Sequence, residues 1–198
     1  MPVPVEAADV HATWFVTHQT ELLERLRANP KFELGIHPNY LPLLLEGSTK
    51  KGSSAEQVLE NLLAIVPEAK SVRTHSLVQG GRLTEIYHRK GITHEANAFV
   101  PVEEATLTPW VDWFGIIRVP HRWEDDYWCY TKKPSQLISD DGLTVLCFHP
   151  IHVFLNTDIL GRYEDARQVF QDPDQLLGKR FAGNGVRTQL QQLLSRVS

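Results

Sequence analysis

Four histidines stand directly after apolar, strand-like runs: His18 after "ATWFVT", His37 after "FELGI", His75 after "SVRT" and His149 after "LTVLCF". A fifth run, "GIIRVP", leads into His121, Arg122, Trp123, Glu124, Asp125 and Asp126. Neutral imidazole is a good ligand for divalent metals, and its proton equilibrium lies close to neutral pH. Taken singly, a strand-end histidine is more often structural. Several at the same end of different strands point to a shared site, because the C-terminal ends of parallel strands open on one face. His18 could equally cap a helix, and His11, His88 and His94 read as surface residues.

Two further stretches carry chemistry. "FHPIH" places His149 and His152 three apart, but Pro150 is expected to block a helix through the pair and make them diverge. His149, at the strand tip, is then the better candidate. "WEDD" reads as a loop of three carboxylates beside Trp123, Tyr127 and Trp128. Such a run is either a solvated loop or a sugar-binding one, where rings stack on the apolar sugar face and carboxylates take its hydroxyls. The spacings of a dinucleotide fold, a phosphate loop, a serine hydrolase elbow and an HExxH zinc helix are all absent.

The elements that must hold these residues alternate. After the strand at 12–17, "TELLERLRAN" reads as a helix with Thr20 at its N-cap and Pro30 as its stop. "LPLLLEGSTKKGSS" reads as an irregular excursion. Residues 54–66 have a capping box at Ser54 and Gln57 and an apolar face at spacings of three and four. Residues 81–90 form a helix ended by Gly91. "ITHEANAFV", "GIIRVP" and "LTVLCFH" are strands, and "GVRTQLQQLLSRV" is a closing helix. About six strands alternating with helices predict an α/β fold, a parallel sheet or barrel, in a single domain over residues 1–198.

Composition excludes several classes. With 198 residues, 42% hydrophobic and 22% charged, the chain can bury a real core. A net charge of −4 gives no electrostatic case for nucleic acid or an anionic membrane. No apolar run approaches the roughly 18 residues a membrane span needs, and the start lacks the pattern of a signal peptide. Cys129 and Cys147, without CxxC spacing, suit a reducing cytoplasm.

The motifs "HATWFVTH", "FELGIHPN", "SVRTHSL" and "LCFHPIHVFLNT" together resemble the polysaccharide deacetylase (NodB-homology) superfamily, and within it the WbmS-like branch associated with bacterial surface-polysaccharide gene clusters. The resemblance runs from about Ala12 to the C-terminus. It implies a distorted β/α barrel and metal-assisted hydrolysis of an N-acetyl group on a sugar. It further implies His37 as a metal ligand, Arg73 as the residue orienting the catalytic base, and His149 as general acid supported by Asp125. The metal would be zinc. Leu41 occupies the place of the family's second metal histidine, and His75, from its strand-end position, is the substitute. Trp123, Glu124, His152 and Asn39 are the expected sugar contacts.

One departure is large. The family begins with a strand bearing a "TFDD"-type carboxylate pair, and this chain starts about eleven residues before the second family strand. The expectation is therefore a barrel incomplete at its N-terminus, whose unpaired edge opens a route to a homodimer. Three readings stand: a truncated start, another residue such as Asp9 or Glu124 filling the gap, or a catalytically inactive relative that still binds carbohydrate.

Overall fold

In the computed structural model, which describes residues 4–47, 52–101, 106–131 and 143–197, two compact units are distinguished. One comprises His11–Phe99 with Leu107–Pro120. The other comprises Met1–Val10, Val100–Thr106 and His121–Ser198.

A single helical turn, α1 (Pro4–Ala7), precedes β1 (Ala12–Val16) and α2 (Leu22–Arg27). Thr20 Oγ1 accepts the Leu22 N–H at 3.4 Å, so it serves the start of α2, although Glu21 holds the cap position itself. β2 (Phe32–Ile36) lies parallel to β1, in register from Ala12 opposite Phe32 to Val16 opposite Ile36. Gly35 leaves room for neighbouring side chains: a Cβ there would stand 2.5 Å from Ser71 Oγ and 2.8 Å from the Phe15 ring.

The stretch read as an irregular excursion begins with a helix, α3 (Leu41–Glu46), closed by Gly47 in the left-handed region. Its proline falls within the first turn, where no backbone hydrogen bond is lost. Residues 48–51 of that stretch lie outside the described set. In α4 (Ala55–Leu63) the Ser54 side chain accepts the Gln57 N–H at 3.2 Å. Gln57 reaches back one residue further than a capping box requires, to the Ser53 N–H at 2.8 Å. Val58, Leu59 and Leu62 form its buried face, each contributing about 1.5–3 kcal/mol by burial.

β3 (Ser71–Val72) is followed by a 3-10 turn at His75–Leu77 and by α5 (Gly81–Arg89), which ends at Gly91 with φ 77° as expected. β4 (His94–Phe99), β5 (Trp110–Val111) and β6 (Ile117–His121) complete a six-stranded sheet of order β1-β2-β3-β4-β6-β5. The first four strands are parallel to their sequential neighbours, and β5 runs antiparallel to β6. Ile36, Leu59, Val72, Tyr87, Ile92 and Ile116 lie at the centre of this unit's core. Glu95, fully buried, faces Arg118 at 2.8 Å, close in distance but not aligned as a hydrogen bond. Burial holds the Glu95 carboxyl above the usual carboxylate range, with the Arg118 charge opposing it. Burial likewise pushes the Tyr40 hydroxyl up to about 12.

In the other unit, β7 (Trp123–Glu124) leads straight into α6 (Asp125–Thr131), so the expected "WEDD" loop is a strand and a helix start. β8 (Leu146–Cys147) pairs parallel with β7 and is shorter than the run "LTVLCFH" suggested. α7 (Pro150–Leu155), α8 (Leu160–Ala166), a 3-10 turn at Arg167–Val169, α9 (Pro173–Gly178) and α10 (Val186–Val197) follow. Leu155, Ala166 and Leu176 form a small core, and α10 buries Val186, Leu190 and Leu194. Asn156 ends α7 in the left-handed region and binds the carbonyls of Phe181 and Gly183, at 2.9 and 2.8 Å. Its Oδ1 also accepts the Thr188 N–H at 3.2 Å, at the start of α10. Among the described residues no helix is long and apolar enough to cross a membrane.

Candidate active site

The first histidine pair is placed by the strand ends. Parallel pairing continues past the strands: the His37 N–H donates to Val16 O at 2.8 Å, Arg73 N–H to Ile36 O at 3.1 Å, and His75 N–H to Pro38 O at 2.9 Å. The His37 and His75 rings consequently meet edge to face, 5.9 Å between centroids. His37 is half-buried and His75 exposed. The two residues after His75, Ser76 and Leu77, both have φ near 54°, a costly conformation for residues other than glycine. β4 steadies that turn from below. Asn97 Oδ1 accepts the Thr74 N–H at 2.7 Å, and Leu77 N–H closes on Thr74 O at 3.2 Å.

Arg73 is buried, and its Nη1 donates to Ala96 O at 3.0 Å, which ties β3 to β4. Asn39 Oδ1 accepts the Leu41 N–H at 3.0 Å and so turns the chain into α3.

The second cluster lies in the other unit. The β7–β8 pairing sets Glu124 opposite Cys147 and so brings the two following segments side by side. Asp125, fully buried, holds His149 twice. Its Oδ1 lies 2.6 Å from the ring Nδ1, and its Oδ2 accepts the His149 backbone N–H at 2.6 Å. His152 Nε2 lies 2.6 Å from Asp126 Oδ1, and its Nδ1 3.0 Å from Thr157 Oγ1. The two imidazoles stand 5.8 Å apart at 87°.

The expected divergence of His149 and His152 does not occur. Pro150 opens α7 at its first position, where proline fits, instead of breaking a helix across the pair. His149 becomes the N-cap residue and His152 falls in the first turn, turned toward Asp126. Sequence reasoning alone does not single out Asp126 or Thr157. The available signal was the carboxylate next to Asp125, hidden by reading "WEDD" as a loop.

Ligand atoms of Asp125, Asp126, His149 and His152 lie within 4.8 Å of one another, as do those of Glu124, Cys147 and His149. Mixed carboxylate, imidazole and thiolate donors at that spacing can coordinate a divalent ion. Among the described residues, no comparable group of three or more ligands includes His37 or His75. Trp123 is buried with its indole against the Phe148 ring, 4.7 Å between centroids. Glu124 is buried as well, 3.4 Å from His121 Nε2, and so is His152. Three of the four expected sugar contacts, Trp123, Glu124 and His152, are thus buried.

Strand-end histidines and a buried carboxylate–histidine pair on an α/β fold are groups able to hold a metal ion and to move a proton. The chain matches the WbmS-like polysaccharide deacetylase family over residues 4–167 and belongs to that family, within the polysaccharide deacetylase (NodB-homology) superfamily. It is similar to a crystal structure from Bordetella bronchiseptica, that of WbmS, described as a candidate polysaccharide deacetylase involved in O-antigen biosynthesis. The two are 42% identical, the match covers 98% of this chain and 82% of that one, and the TM-score is 0.89. No curated protein matches the chain.

Proposed function

We propose that this protein is a metal-dependent, deacetylase-like hydrolase that cleaves the N-acetyl amide of a sugar in surface-polysaccharide metabolism. The observation that carries the reading is the double hold of Asp125 on His149. A carboxylate accepts only, so it keeps the proton on His149 Nδ1 and assigns proton transfer to Nε2. In the reaction the amide C–N bond breaks, water adds its hydroxyl to the acyl carbon and its proton passes to Nε2, and Nε2 then gives that proton to the departing nitrogen. Arg73 and Asn39 keep the strand-end framework around His37 and His75 in place.

His37 and His75, whose rings meet edge to face, would supply two of the three protein ligands usual for catalytic zinc. A divalent metal held there would polarise the amide carbonyl and acidify a water molecule. We take the chain as one cytoplasmic domain of the family's distorted β/α barrel type, with β1 as the edge through which two copies would pair.

Acetate release from N-acetylated oligosaccharides in the presence of zinc tests the reading. The expected result is turnover that disappears with chelator and with His149→Ala. Turnover indifferent to both would sink it. One observation favours a second reading, an inactive relative that retains carbohydrate binding: two imidazoles are fewer ligands than a catalytic zinc site normally has. Sugar binding that survives chelation and His149→Ala, with no acetate released, would decide for it.

A further inference from the structure

Trp113 is 94% exposed, the most exposed large apolar side chain among the described residues. It is not carried by loose chain. It sits in the turn between β5 and β6, where Asp112 Oδ1 accepts the N–H groups of Phe114 and Ile116 at 3.0 and 2.9 Å. The Asp112 N–H closes on Ile116 O at 2.9 Å, and Gly115 supplies the left-handed residue, φ 80°. Phe114, next in the chain, packs against the core. A tightly bonded turn thus sends one aromatic ring inward and holds the other in water, an arrangement that burial energetics alone would not produce.

Beside Trp113 an open cleft of about 710 Å³ runs to the start of α5, lined also by Gln79, Arg82, Glu85, Asp112 and Arg118. Gly80 and Gly81 form its bare floor, with nothing within 4 Å of where a Cβ would stand. Every charged side chain on this lining has an opposite charge beside it. Arg118 Nη1 lies 3.5 Å from Asp112 Oδ2 and its Nε 2.8 Å from Glu95 Oε2, while Arg82 Nη1 lies 3.2 Å from Glu85 Oε2. Arg118 Nη2 also donates to Gln79 Oε1 at 2.6 Å. Among the described residues, an anionic ligand finds no uncompensated cation here, and a cation no uncompensated carboxylate. What the cleft offers is the flat face of Trp113, with partly buried Phe114 beside it in the lining, and a rim of planar groups able to give and take hydrogen bonds.

We propose that this cleft binds a neutral oligosaccharide, one sugar ring stacking on Trp113 and its hydroxyls bonding to Gln79, Asp112 and Arg118. The cleft is too open to enclose a ligand, which suits a chain that passes across it rather than a cofactor. It shares no residue with the histidine pair or with the His149 cluster, and it does not depend on the amide chemistry proposed above.

The test titrates the intact protein with cellotetraose and with the tetramer of N-acetylglucosamine, read by calorimetry and by NMR saturation transfer. Binding of at least one is expected, weakened roughly five- to tenfold by Trp113→Ala and also by Gln79→Ala. Because Trp113 is held in solvent, its loss should leave circular dichroism and melting temperature unchanged. His149→Ala should leave this binding intact even where it abolishes acetate release, which separates failure of the cleft from failure of the catalytic reading. Three results overturn the proposal. They are no binding of either sugar, binding indifferent to Trp113→Ala, or a wild-type dimer that Trp113→Ala converts to monomer without touching sugar binding.

Discussion

Asp125 accepts two hydrogen bonds from the same partner, the ring and the backbone N–H of His149, each at 2.6 Å. The carboxylate is fully buried, whereas about a third of the histidine side chain reaches solvent. One residue is thus the fixed anchor and the other the group it aims. The backbone bond fixes where His149 stands, and the ring bond fixes its tautomer and tilt.

Asp125→Asn should therefore cost activity out of proportion to its size. The amide can face Nδ1 with its oxygen or the backbone N–H with its oxygen, but not both. We expect kcat for acetate release to fall on the order of 10²–10⁴-fold with little change in KM. Adding His149→Ala to Asp125→Asn should bring almost no further loss, because the two act as a unit. Activity of Asp125→Asn close to wild type would refute the assignment.

Metal content separates the two ligand-rich places. After dialysis against zinc and then buffer, elemental analysis should find metal in wild type and in Asp126→Ala. It should be lost in His37→Ala and His75→Ala. The opposite pattern would place the ion in the cluster of Asp125, Asp126, His149 and His152, whose donors already lie within 4.8 Å of one another.

Gly185→Ala should destabilise the unit that carries His149. A Cβ at Gly185 would stand 2.0 Å from Asn156 O and 2.7 Å from its Oδ1. Backbone would have to move, and Asn156 is the residue that ends α7 and receives α10. A loss of about 1–3 kcal/mol in urea unfolding is expected. Gly178→Ala is the control. Nothing lies near its Cβ position, and it closes a helix, so no loss should appear.

Glu95 predicts a pH effect on stability. Burial raises its carboxyl pKa above the ordinary value, with Arg118 acting against the shift. A raised folded-state value means that the stability linked to the protonated form is complete below the ordinary carboxyl range. It is lost as pH rises through the raised value. Urea unfolding of wild type from pH 4 upward should carry this falling component, and Glu95→Gln should lack it. Parallel pH profiles for the two proteins would show that the carboxyl is not raised.

Much of the framework was legible because it is local. Alternation and β-branched runs announced β1, β2, β4 and β6, and Ser54 with Gln57 announced the start of α4. Gly91 marked the end of α5, and "FELGIHPN" with "LCFHPIH" carried the family. β5 and β7 are two residues each, too short for any period to register. α3 and α7 were hidden by their prolines, which read as breaks in sequence and stand as helix openers in the fold.

What the amino-acid sequence determined by itself was the alternation of β1, β2, β4 and β6 with α2, α4 and α5, the closing helix α10, the strand-end positions of His37, His75 and His149, and the family. The partners of those residues were decided only by tertiary structure. Asp125 and His149 are 24 residues apart, and Glu95 and Arg118 are brought together by neighbouring strands. The exposure of Trp113 and the burial of Trp123 belong to the same kind of fact. Periodicity and capping are set by a side chain and its near neighbours along the chain. Contact between distant side chains depends on strand register and helix packing, which those neighbours do not specify.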